Sequence, residues 1–169
     1  EGTFNGVSAG DQSGFDRYAG MDMDVYENVL RRLADDGLEP ETQAINFRAW
    51  SNRIEQASTF LSTGPVDYGP LYIFRNEAWR IGNAGAGRDN TGAPGLSGRV
   101  FKYSGTSSPA ARVYVLHNTI WTDQTSPNGI DGGAQSASSG NSPEAFYLRN
   151  NIFGMTGMAF DAPTVAGRW

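Results

Sequence analysis

Apolar and polar residues alternate in short runs along this chain, and each run closes on an asparagine. The runs are Met23-Asp-Val-Tyr-Glu, Phe47-Arg-Ala-Trp-Ser, Leu71-Tyr-Ile-Phe-Arg, Val113-Tyr-Val-Leu-His and Ala145-Phe-Tyr-Leu-Arg. The asparagines are Asn28, Asn52, Asn76, Asn118 and Asn150, at intervals of 24, 24, 42 and 32 residues, so the last two repeats carry loop insertions. Period-two alternation in β-branched and aromatic residues predicts a strand before each Asn. Met23, Phe47, Leu71, Val113 and Ala145 then form one core column, and Val25, Ala49, Ile73, Val115 and Tyr147 a second. Strand, bend and strand repeated at this period predict a stacked solenoid of about five coils. Asn suits the bend because it tolerates left-handed backbone angles. Stacked in register, each amide can donate to one neighbouring coil and accept from the other, forming a ladder.

A second strand per repeat is expected at 37–41, 59–63, 100–104, 129–133 and 159–163. Leu38, Phe60, Phe101, Ile130 and Phe160 would face inward, leaving Glu39, Leu61, Lys102, Asp131 and Asp161 outward. Two Gly- and Ser-rich insertions, Gly82–Gly98 and Gln124–Pro143, read as long loops. Residues 1–20 read as an N-terminal segment or remnant coil, and 21–169 as the solenoid domain. One stretch competes with this reading: Val25, Val29, Leu30 and Leu33 between Asp22 and Asp35 recur at helical spacing. Its alignment with four later copies, none of them helical in pattern, favours strand–bend–strand.

Bulk properties narrow the function. A net charge of −5 and the absence of any Lys/Arg run argue against nucleic acid as a partner. No apolar stretch reaches the length of a membrane span. Cysteine is absent, which removes disulfides and thiolate metal sites. The chain opens at Glu1 and ends soon after a repeat, so further coils or a protein partner are expected at the solenoid ends.

The strings Gly69-Pro-Leu-Tyr-Ile-Phe-Arg-Asn76, Ala111-Arg-Val-Tyr-Val-Leu-His-Asn-Thr-Ile120 and Phe146-Tyr-Leu-Arg-Asn-Asn-Ile-Phe153 resemble coils of the pectate-lyase-like superfamily. The resemblance spans about residues 21–163 and implies an all-β, right-handed parallel β-helix. It also implies an extracellular, cell-surface or periplasmic protein that handles polysaccharide. The same superfamily holds lyases, hydrolases, tailspikes and adhesins, so a non-catalytic structural or adhesion module is the alternative.

Four carboxylates, Asp35, Asp36, Glu39 and Glu41, fall within seven residues. Hard oxygen donors at that density suit Ca²⁺, with Asp36, Glu39 and Glu41 as ligands. The resemblance puts the substrate groove on the outer face of the sheet carrying Glu39, Lys102 and Asp131, which become the catalytic candidates. Glu41 and Asp161 become substrate-binding candidates. The acidic balance of that column favours neutral or cation-bridged sugars. His117, the only histidine, lies in a polar column between Arg75 and Arg149 and reads as a surface group.

Overall fold

The computed structural model describes residues 6–9, 20–41, 44–63, 66, 68–81, 99–103, 112–121, 130–131 and 146–154. In chain order the strands are β1 (Val7–Ser8), β2 (Asp24–Tyr26), β3 (Val29–Arg31), β4 (Asp36–Glu39), β5 (Phe47–Trp50), β6 (Arg53–Glu55), β7 (Thr59–Thr63) and β8 (Leu71–Phe74). They continue with β9 (Glu77–Trp79), β10 (Arg99–Tyr103), β11 (Val113–Leu116), β12 (Thr119–Trp121), β13 (Ile130–Asp131), β14 (Phe146–Arg149) and β15 (Ile152–Gly154). No helix occurs among the described residues, and the Asp22–Asp35 stretch is β2, a bend and β3.

The strands deal out by threes. Sheet one is β1-β4-β7-β10-β13, sheet two β14-β11-β8-β5-β2, and sheet three β15-β12-β9-β6-β3. All pairings between these strands are parallel. A chain that visits three sheets in rotation, adding one strand to each on every pass, is an all-β, solenoid-like stack. Each sheet contributes an apolar column to one core. Phe47, Leu71 and Val113 come from sheet two, with Val25, Ala49, Ile73 and Val115 beside them; sheet three adds Ile54, Ala78 and Ile120. The Phe101 ring meets Phe60 and Phe153 edge-on at 6.2 and 6.0 Å, so sheets one and three touch through aromatic contacts. Val7 of the expected N-terminal segment pairs with Leu38, so that segment contributes β1 to sheet one.

The bends work differently from the expectation. The left-handed residue is the one before each Asn: Glu27, Ser51, Arg75, His117 and Asn150, with φ between 53° and 57°. A second set, Arg32, Gln56 and Arg80, turns sheet three toward sheet one. Asn is therefore placed for its amide. Asn28 donates from its backbone N and Nδ2 to Asn52 Oδ1, at 3.1 and 3.0 Å. Asn52 does the same to Asn76 and Asn76 to Asn118, at 2.9–3.0 Å. Asn118 then donates to Asn151, not to Asn150. Phe146, not Ala145, pairs with Val113, which turns Tyr147 outward and Leu148 toward the core. The cause is burial: Leu148 has no polar group to satisfy, whereas Tyr147 leaves its ring 44% exposed.

Sheet one departs from simple alternation. Every residue of β4 and β7 is buried, including Phe60 and Leu61 together. A parallel sheet covered on both faces loses its period-two signal. Leu61, rather than Phe60, aligns with Leu38 and Phe101, and Ser62 takes the register of Lys102. The insertion 82–98, most of 124–143 and the expected strand at 159–163 lie outside the described residues.

Candidate functional site

The acidic run Asp35-Asp-Gly-Leu-Glu39 becomes the entry to β4, and burial makes it a cluster. Asp36 is fully buried, Glu39 is 7% exposed and Glu41 2%. The three offer carboxylate oxygens that lie within 4.8 Å of one another. Lys102 reaches in from β10: its Nζ lies 2.9 Å from Asp36 Oδ2 and 3.9 Å from Glu41 Oε1. Ser62 donates its hydroxyl to Glu41 Oε1. Asp131 shares the backbone register of Lys102, while Asp161 lies outside the described residues.

The structure thus brings Asp36, Glu39, Glu41 and Lys102 together, but not as a solvated groove. Of the residues expected on the outer face, Glu39 and Leu61 are buried and Lys102 is only partly exposed. The oxygen donors are those a divalent ion uses, yet the ammonium of Lys102 already sits among them as a compensating cation. A bound Ca²⁺ would need Lys102 turned away.

Burial also sets the protonation. It pushes Glu39 up to about 7, helped by the neighbouring charges of Glu41 and Asp36. Asp35 rises to about 6, first through burial and then through Asp36. For Lys102, burial acts downward, but the carboxylates of Asp36, Glu41 and Asp35 outweigh it and hold the amine above its usual value.

A stability prediction follows. Glu39 keeps its proton to about pH 7 when folded, but loses it near 4.5 when unfolded. Its contribution is therefore complete below pH 4.5 and is lost as pH rises through about 7, by roughly 3 kcal/mol. Glu39→Gln should flatten the stability profile across that window, with Asp35 leaving a residual slope of the same sign. Urea unfolding at a series of pH values checks this, and an unchanged slope in the variant would refute it.

A second group of residues is assembled by sheet two, on the face opposite its core columns. One outer column runs Asp24, Arg48, Tyr72, Tyr114, Tyr147, and the next Tyr26, Trp50, Phe74, Leu116, Arg149. Tyr72, Tyr114 and Tyr147 stack at 5.2 and 5.0 Å, and Tyr26, Trp50 and Phe74 at 4.7 and 5.6 Å. Interplanar angles of 7–22° mean the rings lie flat on one another along the stacking direction. Their faces are mostly used by neighbours, so solvent meets ring edges and tyrosine hydroxyls.

Arg75, His117 and Arg149 are exposed beside this face. Arg112 is exposed as well, hydrogen-bonded to Tyr114, which with the neighbouring tyrosines raises its pKa further. The only carboxylate in the strands of sheet two is Asp24, and Arg48 pairs with it. The strand pattern did not single out this Tyr/Arg column. Its one available signal was the recurrence of large polar-tipped residues one position after each core residue.

No protein-family model matches the chain, and no curated protein or solved structure is similar enough to count as a relative. Among the described residues, no helix is long and apolar enough to cross a membrane.

Proposed function

We propose that this chain is a right-handed parallel β-helix of the pectate-lyase-like kind, with about five coils. We propose further that it binds an acidic polysaccharide along the outer face of sheet two, outside the cell or at its surface. The three-sheet parallel rotation supports the fold, since crossovers between parallel strands are right-handed in nearly all proteins. One observation carries the functional reading: the Tyr72–Tyr114–Tyr147 stack, half-buried at Tyr72 and Tyr114 and exposed at Tyr147, with the exposed Arg75, Arg112 and Arg149 nearby in sequence, on strands holding a single carboxylate.

Ring edges and phenol hydroxyls make a flat, hydrogen-bonding track, and the guanidinium groups are suited to carboxylate or sulfate substituents. Successive coils repeat these groups every ~4.8 Å, so an extended polymer can be held at several points. A basic stripe on a chain of net charge −5 also favours an anionic ligand over a neutral one. This reverses the preference expected from the acidic column of sheet one, because Asp36, Glu39 and Glu41, the acids described there, are buried. Binding without cleavage is the better reading. Glu39, the carboxyl group best tuned for acid–base work, is covered and lies on another sheet.

Affinity electrophoresis against acidic and neutral polysaccharides, at low and high salt, tests the proposal. We expect retardation by acidic polymers at low salt that weakens as salt rises. No retardation by any polymer, or equal retardation by neutral ones, would defeat it.

A further inference from the structure

Sheet three presents a different outer surface from sheet two. Each of its strands turns the middle residue to the core and the first and last residues outward. Strand pairing arranges the outward residues in two columns. One is Val29, Arg53, Glu77, Thr119, Ile152, and the other Arg31, Glu55, Trp79, Trp121, Gly154. Their two arginines and two glutamates balance, so these columns carry no net charge. Arg31 pairs with Glu55 at 3.2 Å, and the Arg53 guanidinium lies 4.8 Å from the Trp79 ring centroid.

Trp121 is the aromatic residue this arrangement leaves open. It is 54% exposed, and among the described residues no ring stacks on it. Its neighbour in the next repeat is Gly154. A Cβ built on that glycine would lie 2.1 Å from Cε3, 2.6 Å from Cζ3 and 2.8 Å from Cδ2 of the indole. Close approach to three bonded ring atoms at once puts the glycine beneath the ring face rather than at its edge. The indole therefore lies over Gly154, and its opposite face looks away from the sheet. Any side chain at position 154 would lift the ring; glycine inside a strand often marks such a close approach. The rings of sheet two differ, because their faces are covered by neighbouring rings.

A flat apolar plate bordered by hydrogen-bonding groups matches the shape of a pyranose. One face of such a sugar ring carries mainly C–H groups, and its hydroxyls lie around the rim. Stacking on the indole removes the C–H face from water. Thr119, two residues back on the same side of β12, offers a hydroxyl to the rim, and Glu77 beside it a carboxylate. A protein partner fits this surface less well. Arg31, Arg53, Glu55 and Glu77 occupy much of the face, and charged residues are depleted where protein interfaces are fully buried.

We propose that Trp121 is a subsite for one neutral pyranose unit of a glycan, stacked on the outer face of the indole. Gly154 is its positioning residue, because it lets the ring lie flat. The site is separate from the outer face of sheet two and does not depend on the acidic-polymer reading. One uncharged plate gives weak binding that salt does not change, with a Kd on the order of 1 mM. A contact this weak does not rival an acidic polymer held at several points at low salt.

Titration of the full chain with neutral gluco-, xylo- and manno-oligosaccharides tests this, followed through the indole N–H resonances of its four tryptophans. The Trp121 resonance, assigned by its loss in Trp121→Ala, should shift saturably with at least one of these sugars, equally at low and high salt. Calorimetry should show binding weakened at least about tenfold by Trp121→Ala and by Gly154→Ala, with circular dichroism retained. Trp121→Phe, which keeps a smaller plate, should fall between. In Gly154→Ala the Trp121 resonance should be displaced before any sugar is added, because the new methyl group moves the ring. Val29→Ser, three strands away on the same sheet, should bind like the wild type.

Three results would each overturn the proposal. One is a Trp121 resonance that no neutral oligosaccharide shifts at concentrations well above that Kd. Another is undiminished binding by Trp121→Ala. The third is a Trp121 shift that follows protein concentration alone, which would make the plate a contact between copies of this chain.

Discussion

Replacing Lys102 with alanine is expected to lower the unfolding free energy by about 3 kcal/mol at neutral pH and above. The ammonium lies 2.9 Å from the fully buried Asp36 and 3.9 Å from Glu41. Removing it strands negative charge in a covered site, where desolvation is not repaid. The loss should shrink in mild acid, because Glu39 and Asp35, pushed up to about 7 and about 6, then hold protons and lessen the negative charge left behind. Urea unfolding of wild type and variant near pH 8 and near pH 5 decides the matter. Equal midpoints at both pH values would mean that water, not the protein, neutralises the cluster. A solvated column would have tolerated this substitution, so the experiment separates the covered arrangement from an open groove.

Asn76→Ala is expected to cost about 3 kcal/mol, comparable to truncating a core residue. Asn76 is fully buried, donates Nδ2 to Ala49 O and Asn118 Oδ1, and accepts from Asn52 N and Nδ2. Alanine would leave buried groups on two neighbouring repeats without these bonds. Asn28→Ala provides the control. Asn28 is exposed and water can replace its partners, so the loss should be under about 1 kcal/mol. Similar costs at the two positions would show that the stacked amides contribute little beyond bend geometry.

Much of this architecture was readable from spacing alone. Phe47, Leu71 and Val113 align in register because a parallel stack buries the same position on every pass. The fifth repeat slipped because Asn150 and Asn151 are adjacent and the local frame favoured the first. That frame required an apolar residue two positions before the Asn. The position is in fact an outer-face column, where the aliphatic stem of Arg149 serves as well as Leu116. The bend residue escaped notice for a different reason. Glu27, Ser51 and Arg75 carry no left-handed preference, and the stacked repeat imposes the angle on them. In sheet one, burial on both faces erased the alternation, so Leu61 was assigned to solvent and Glu39 and Lys102 to a groove. The carboxylate cluster was visible in sequence, but its covering was not. Tyr147 was assigned to the core, which hid the tyrosine column until the strand register was known.

The outer face of sheet two is the centre of the functional account, and a paired titration with an acidic polysaccharide tests it most directly. A Tyr114→Ala, Arg149→Ala double variant should lose at least about tenfold in affinity, with its melting temperature shifted by only a few degrees. Glu39→Gln should bind like the wild type, because Glu39 is buried on sheet one. The opposite pattern, with full binding by the double variant and loss in Glu39→Gln, would place the ligand at the carboxylate cluster and contradict the account.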